Sequence, residues 1–157
     1  MYAINQTLEK SIIEADGRYL DTAELAPLEA YLQSYANRVN AYEHLREHSA
    51  KMVLQALQKM AQSNPEIIKT HGKRCQYDMS EVLRYTALSI LRDDEVFFNE
   101  QMMSWLDTII LAYRRTHHCS TAYRYLQDIV NHTLPPAESD LIRPYLDSVI
   151  STLQSHA

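Results

Sequence analysis

Only two glycines and five prolines occur in 157 residues, and no other feature limits the possible folds of this chain so strongly. A sheet with many hairpins needs a residue that tolerates a tight reversal at almost every turn, and this chain has too few. Apolar residues instead recur three and four positions apart along most of its length, the period of a helix buried on one face. The chain is predicted to be all-α. Its 46% hydrophobic content is enough for a sizeable core, and no repeat or low-complexity linker marks a boundary. One domain spanning residues 1–157 is therefore expected.

A formal charge of -5 leaves no basic stripe to neutralise phosphates, which excludes nucleic acid as a natural partner. No apolar run approaches the roughly twenty residues that cross a bilayer, and the stretch Met1-Tyr2-Ala3-Ile4-Asn5-Gln6 is not a basic region followed by a greasy one. A soluble, unprocessed cytoplasmic protein is expected, without membrane insertion. Cys75 and Cys119 read as reduced thiols rather than a disulfide framework. Glycine-rich phosphate loops, nucleophile elbows and zinc-protease helices are absent from the sequence, so the chain is not read as an enzyme.

The helices can be placed by their caps and breakers. A short one around Gln6 to Ala15 is stopped by Asp16-Gly17-Arg18, and Asp21 or Thr22 caps a second with Leu25, Leu28, Tyr31, Leu32 and Tyr35 on its apolar face. A third pattern carries Val39, Tyr42 and Leu45. A fourth carries Met52, Val53, Leu57, Met60 and Ala61 up to Ser63-Asn64-Pro65. His71-Gly72-Lys73 reads as a connection, after which a helix begins near Cys75 and runs through Ile90. Asp93 and Asp94 are caps for the next, Glu95 to Arg115, the most apolar and the candidate central helix. Ser120 or Thr121 starts another, and the last follows Pro135-Pro136.

Within this frame the run Arg74-Cys75-Gln76-Tyr77-Asp78 sets a thiol one helical turn before a carboxylate, so both share a helix face. Spacing alone fits a small buried thiol beside a capping aspartate as well as it fits a ligand site. Other constellations carry less. His44 and His48 share a face but have no third ligand, so no metal site is assigned. His117-His118-Cys119 reads as a polar turn at a helix junction. His71, beside Gly72 in an apparent loop and without a distal counterpart, gives little support to a haem site.

Three segments resemble one family: Ala15 to Leu20 with Glu24-Leu25, then Asn64-Pro65-Glu66-Ile67-Ile68, then the run from Cys75 to Arg84. Together they are similar to the phycobiliproteins of the phycobilisome, particularly allophycocyanin-like subunits, and the likeness covers nearly the whole chain. The resemblance implies a globin-like helical fold with two additional N-terminal helices. It also implies one covalent linear tetrapyrrole, phycocyanobilin-like, on Cys75, with Asp78 accepting hydrogen bonds from the inner pyrrole nitrogens. In the family an arginine two positions after the cysteine grips a propionate. Here that position is Tyr77, which cannot make a guanidinium's bidentate pair, so Lys73, Arg74 or Arg84 is left to answer the propionate. The family's longer loop before the cysteine is also missing: only Lys69 to Arg74 separate Ile68 from Cys75.

Cys119 does not match the second bilin cysteine of those members that have one, so a single attachment site is expected. The resemblance further implies pairing through the N-terminal helices, with a second copy or another phycobiliprotein-like subunit. The matching positions are Glu14 and Arg84, with Tyr19 and Leu20 on the docking face. Ordinary solvated charges and an intramolecular core account for the same residues. Two functions stand at this point. One is a bilin-carrying protein in light harvesting, excitation transfer or its regulation, at the phycobilisome on the thylakoid surface. The other is a chromophore-free or transient tetrapyrrole binder with a structural, assembly or turnover role there.

Overall fold

A computed structural model describes residues 6–113 and 116–156, and side chains outside 110–116. The expectations made for Met1 to Asn5, and for the end of the predicted helix at Arg115, lie outside the described residues. Helix α1 (Gln6–Ala15) ends in a reversal at Gly17, whose φ of 77° is open to a residue without Cβ. Arg18 then forks onto Glu24, Nη1 to Oε2 at 2.8 Å and Nη2 to Oε1 at 2.7 Å. Asp21 and Glu24 form a reciprocal capping box, each side chain accepting the other's backbone N–H at 2.9 Å. The Arg18 hydrogen bond first, and the Asp21 N–H next, hold the Glu24 carboxyl down to about 2. This corner therefore keeps its charge into strong acid and loses it only as pH falls through that value.

Helix α2 (Thr22–Ser63) is one rod of 42 residues, about 63 Å long at 1.5 Å per residue. The sequence suggested three successive helices. No glycine or proline lies between Tyr35 and Met52, so the three apolar patterns are consecutive turns of one helix. Asn64 alone turns the chain: its N–H bonds the Met60 carbonyl at 2.8 Å, and Pro65, which has no N–H to leave unsatisfied, opens α3 (Pro65–Arg92).

Helix α3 corrects the predicted connection at His71-Gly72-Lys73, because those residues are helical. Glycine costs a helix interior about 1 kcal/mol, which packing against α2 offsets. Asp78 consequently lies in mid-helix and caps nothing. The true caps are Asp93, left-handed at φ 52°, and Asp94, whose Oδ1 accepts the Phe97 N–H at 2.9 Å. At this end Arg38 binds α2 to α3, donating to the Ile90 carbonyl at 3.0 Å and pairing with Asp93 at 2.6 Å. The Tyr31 hydroxyl donates to the Leu91 carbonyl at 3.0 Å.

The predicted central helix is not central. It is divided into α4 (Glu95–Phe98), a π-helical turn (Asn99–Met103) in which the Ser104 N–H reaches back to Asn99, and α5 (Ser104–Tyr113). Phe98, Met102 and Leu106 are buried, yet Val96 is exposed and Phe97 and Trp105 are half-covered. The core lies instead among α2, α3, α6 (Thr116–Thr133) and α7 (Pro136–Ser155), through Leu45, Met52, Leu83, Leu126, Ile142 and Leu146. Helix α6 starts at Thr116, earlier than predicted, because the Ser120 and Thr121 hydroxyls turn back onto the His117 carbonyl instead of capping. Between α2 and α7, His44 Nδ1 meets the buried Glu138 carboxylate at 2.5 Å. This hydrogen bond raises the His44 pKa.

The two glycines should respond oppositely to alanine. Gly17→Ala forces a Cβ into a left-handed φ with nothing nearby to clash, and should cost about 1 kcal/mol in urea unfolding. At Gly72 the new Cβ meets the Ile68 Cγ2 at 3.2 Å and its Cβ at 4.0 Å, so the Ile68 side chain must give by a few tenths of an ångström. Gly72→Ala should be neutral or stabilising by up to about 1 kcal/mol; a clear loss would mean that Ile68 is held too tightly to give.

Candidate functional site

Between α3 and α6, with α2 and α5 completing the wall, lies a cavity of about 270 Å³. Its apolar walls are Met60 from α2, Ile67 and Ile68 from α3, Ile109 from α5 and Ala122 from α6. The polar edge comes from His71, Arg74, Cys75 and Asp78 on α3, and from His118 and Cys119 on α6. An apolar hollow with a few convergent polar groups is the usual form of a small-molecule site.

Helical geometry sorts the residues that the sequence singled out. At about 100° per residue, Cys75, Asp78 and Arg74 fall on one side of α3 together with Ile67, Ile68 and His71, and all of them line the cavity. Tyr77 lies about 200° round from Cys75; it is 56% exposed and stacks under the Arg74 guanidinium at 5.6 Å. Lys73 is exposed. Arg84 points outward, its guanidinium held by Glu81 and lying over the Tyr85 ring at 4.4 Å. These three do not line the cavity. His71, His118 and Cys119 do, although the sequence reading gave all three to loops or turns. The i, i+4 spacing of His71 and Cys75 would have revealed His71 once Gly72 was accepted as helical.

Asp78 is the most constrained of these groups. Arg74 Nε donates to its Oδ2 at 3.1 Å and lies 2.9 Å from Oδ1, but Oδ1 is buried and accepts no hydrogen bond among the described residues. Burial raises the Asp78 pKa, against the opposing pull of Arg74. The Cys75 thiol is also pushed up, by burial first and by the Asp78 charge second. The Tyr123 hydroxyl and His71 Nε2 are also buried without a hydrogen-bond partner among the described residues. Perturbed titration, buried orphan atoms and a cavity coincide only here among the described residues. No group of three or more His, Cys, Asp or Glu among the described residues could hold a metal ion.

An all-α fold with a cleft that bears a thiol and a carboxylate one helical turn apart is the class that these observations define. Residues 11–153 match the family model for phycobilisome proteins, and the chain belongs to that family, whose fold is the globin-like all-α one. It is 34% identical over 98 residues to the allophycocyanin alpha-B chain of Cyanidium caldarium, covering 56% of this chain and 60% of that protein. The allophycocyanin beta-18 subunits of Aglaothamnion neglectum and of Synechocystis sp. are 26% and 29% identical over 98 residues, covering 57% of this chain and 57% and 58% of those subunits. The chain thus spans less than two thirds of the length of these curated relatives.

The two shifts make a prediction about Cys75. In a Cys119→Ala background, which leaves one cysteine, the rate of alkylation by iodoacetamide should rise with pH through an inflection above that of a free thiol. Asp78→Asn should bring the inflection part of the way down, since burial, the larger cause, remains. An inflection at the free-thiol value would mean that Cys75 faces water.

Proposed function

We propose that this one-domain protein is a bilin carrier of the phycobilisome family, with one linear tetrapyrrole bonded to Cys75. The observation that supports this best is the Asp78 carboxylate on the cavity wall one turn from that thiol, whose buried Oδ1 has the Arg74 charge at 2.9 Å but accepts no hydrogen bond among the described residues. A buried acceptor left unsatisfied costs about 1–3 kcal/mol, and a pyrrole N–H is a donor able to recover it. Attachment needs no redox partner: the S–H adds across an exocyclic double bond of the end ring, forming one S–C bond and placing the proton on the neighbouring carbon.

Asp78 then holds the inner pyrrole nitrogens, and its charge favours a protonated, extended chromophore in a low-dielectric cleft. Arg74 sits at the rim in reach of Asp78, and with Tyr77 turned outward it is the cation best placed for a propionate; Lys73 stands further out and Arg84 is held by Glu81. The cavity, about 270 Å³, falls just below the 300–1,000 Å³ or so common for ligand pockets. It would enclose part of a bilin and leave the rest over a rim that has a helix in place of a loop. Such a chromophore twists and loses excitation as heat, which fits regulation or energy dissipation better than efficient transfer.

A second reading keeps the fold and the docking surface without a permanent pigment, in assembly or turnover. The Arg74–Asp78 pair favours it, because it partly satisfies the carboxylate with no ligand present. In either case the work is done at the phycobilisome on the thylakoid surface, and no helix among the described residues is long and apolar enough to cross a membrane.

Association is proposed to run through α1 and the N-terminal half of α2. Ile12, Ile13, Tyr19, Leu25, Leu32 and Tyr35 are all exposed there, which removes the intramolecular-core explanation for Tyr19, Leu25 and Tyr35. Leu20 is half-covered. Glu14 lies 3.7 Å from Lys10 within α1, so its contribution to docking is small beside that of the apolar face.

Co-expression with a bilin-producing pathway, followed by denaturation and zinc-enhanced fluorescence of the polypeptide, tests the main reading. Pigment should stay on the wild-type chain, disappear in Cys75→Ala, and persist with a weakened long-wavelength band in Asp78→Asn. A pigment-free wild type would leave the second reading standing. In sedimentation, Ile13→Glu should weaken association by about tenfold, roughly 1.4 kcal/mol, whereas Glu14→Lys should have a smaller effect; unchanged association in both would remove the arm as the interface.

A further inference from the structure

Cys119 is a nucleophile that the proposed function leaves unused. It lies in the first turns of α6, on the wall opposite α3, and lines the same cavity as Cys75. One buried group ties the two walls together. The Tyr123 hydroxyl, on a residue only 4% exposed, has no hydrogen-bond partner among the described residues. Its ionisation is opposed by burial first and then by Asp78, Cys119 and Cys75. Asp78 and both cysteines line that one cavity.

We propose that Cys119 forms a second, reversible bond to the same tetrapyrrole, at the methine carbon joining its two inner rings; this rests on the bilin reading above. Asp78 addresses the nitrogens of those two rings, so the carbon between them lies beside the carboxylate. Cys119 lines the same cavity as Asp78 and Cys75 from another helix, so a ligand seated there meets a second thiol beside the carboxylate. In the step, the Cys119 sulfur bonds the methine carbon of the protonated chromophore, and the displaced π pair settles on an adjacent pyrrole nitrogen, cancelling its positive charge. The S–H proton passes to the Asp78 carboxylate, which keeps Arg74 beside it but no longer faces the positive charge of the chromophore. A cation and an anion become two neutral groups, which a poorly hydrated cavity favours, and no oxidant or reductant takes part. Tyr123 remains as the donor beside the newly protonated pair. Adduct formation cuts the conjugated system into two halves, so the long-wavelength band gives way to violet absorption.

The test uses the full chain co-expressed with the bilin pathway. Wild type should show a violet-absorbing fraction that returns to the long-wavelength form in acidic urea, where the second bond reverses and the Cys75 thioether remains. Cys119→Ala and Cys119→Ser should both lose the violet fraction while keeping zinc-enhanced fluorescence after denaturation. Pigmented wild type and both variants with identical native spectra would overturn the second bond and leave the bilin reading intact. Absence of pigment from all three would overturn both.

Discussion

The antiparallel packing of α2 on α3 determines everything else in this molecule. It is fixed at two points far apart in sequence. One is the single-residue corner at Asn64, where a proline opens the returning helix. The other is the clamp at the far end, where Arg38 and Tyr31 reach the last carbonyls of α3. Arg38 is only 13% exposed, and its bonds to a helix-terminal carbonyl and to the Asp93 carboxylate are of the charge-assisted kind, each worth about 1.5–3 kcal/mol. The register they impose turns one side of α3 toward α6, which makes the cavity wall. It also leaves Leu25, Leu32 and Tyr35 uncovered on the first half of α2.

Much of this was legible in the sequence, because it depends on local chemistry. The poverty of glycine and proline gave the all-α class, the Asp21 and Asp94 caps were correctly read, and Pro65 marked the corner. What was lost is what packing decides. Gly72 is a weak breaker, and its cost of about 1 kcal/mol disappears inside a 28-residue helix that buries seven side chains against its neighbours. Reading it as a break displaced the start of α3, sent His71 into a loop, and made Asp78 look like a cap. The same error obscured the helical wheel, which by itself separates Tyr77, Lys73 and Arg84 from the face that Cys75 and Asp78 share. Cys119 could not be found this way. Its nearness to Cys75 comes from the crossing of two helices distant in sequence, and no period within either helix encodes that.

The polar edge of the cavity is held in an unfinished state. Asp78 is shared by one arginine and accepts a bond at only one oxygen; Tyr123 and His71 each hold a buried atom without a partner. Structures avoid such orphans, at about 1–3 kcal/mol each, unless a ligand completes them. Burial raises Cys75 and Asp78 together and raises Tyr123 further. The site is thus biased toward neutral groups, and a protonated ligand entering it would find one carboxylate able to answer its charge.

The missing rim gives this chemistry its direction. Where a loop would close over a chromophore, α3 simply continues from Pro65 to Cys75, and Tyr77 looks outward with Arg74 folded over it. A covalent bond can keep a ligand in place without enclosing it, so attachment and rigidity become separate properties here. In the carrier proposed above, the thiol would supply the first, and the second would depend on how far Asp78 and Arg74 restrained the inner rings. A pigment held at one end and free at the other dissipates energy and responds to its surroundings. Those surroundings include whatever covers the exposed face of α1 and α2, since the same helix pair that presents that face also sets the cavity. A partner that straightened or shifted α2 would act on the α3 wall through the Arg38 clamp, and partner binding and chromophore geometry would then be coupled through one rigid hairpin.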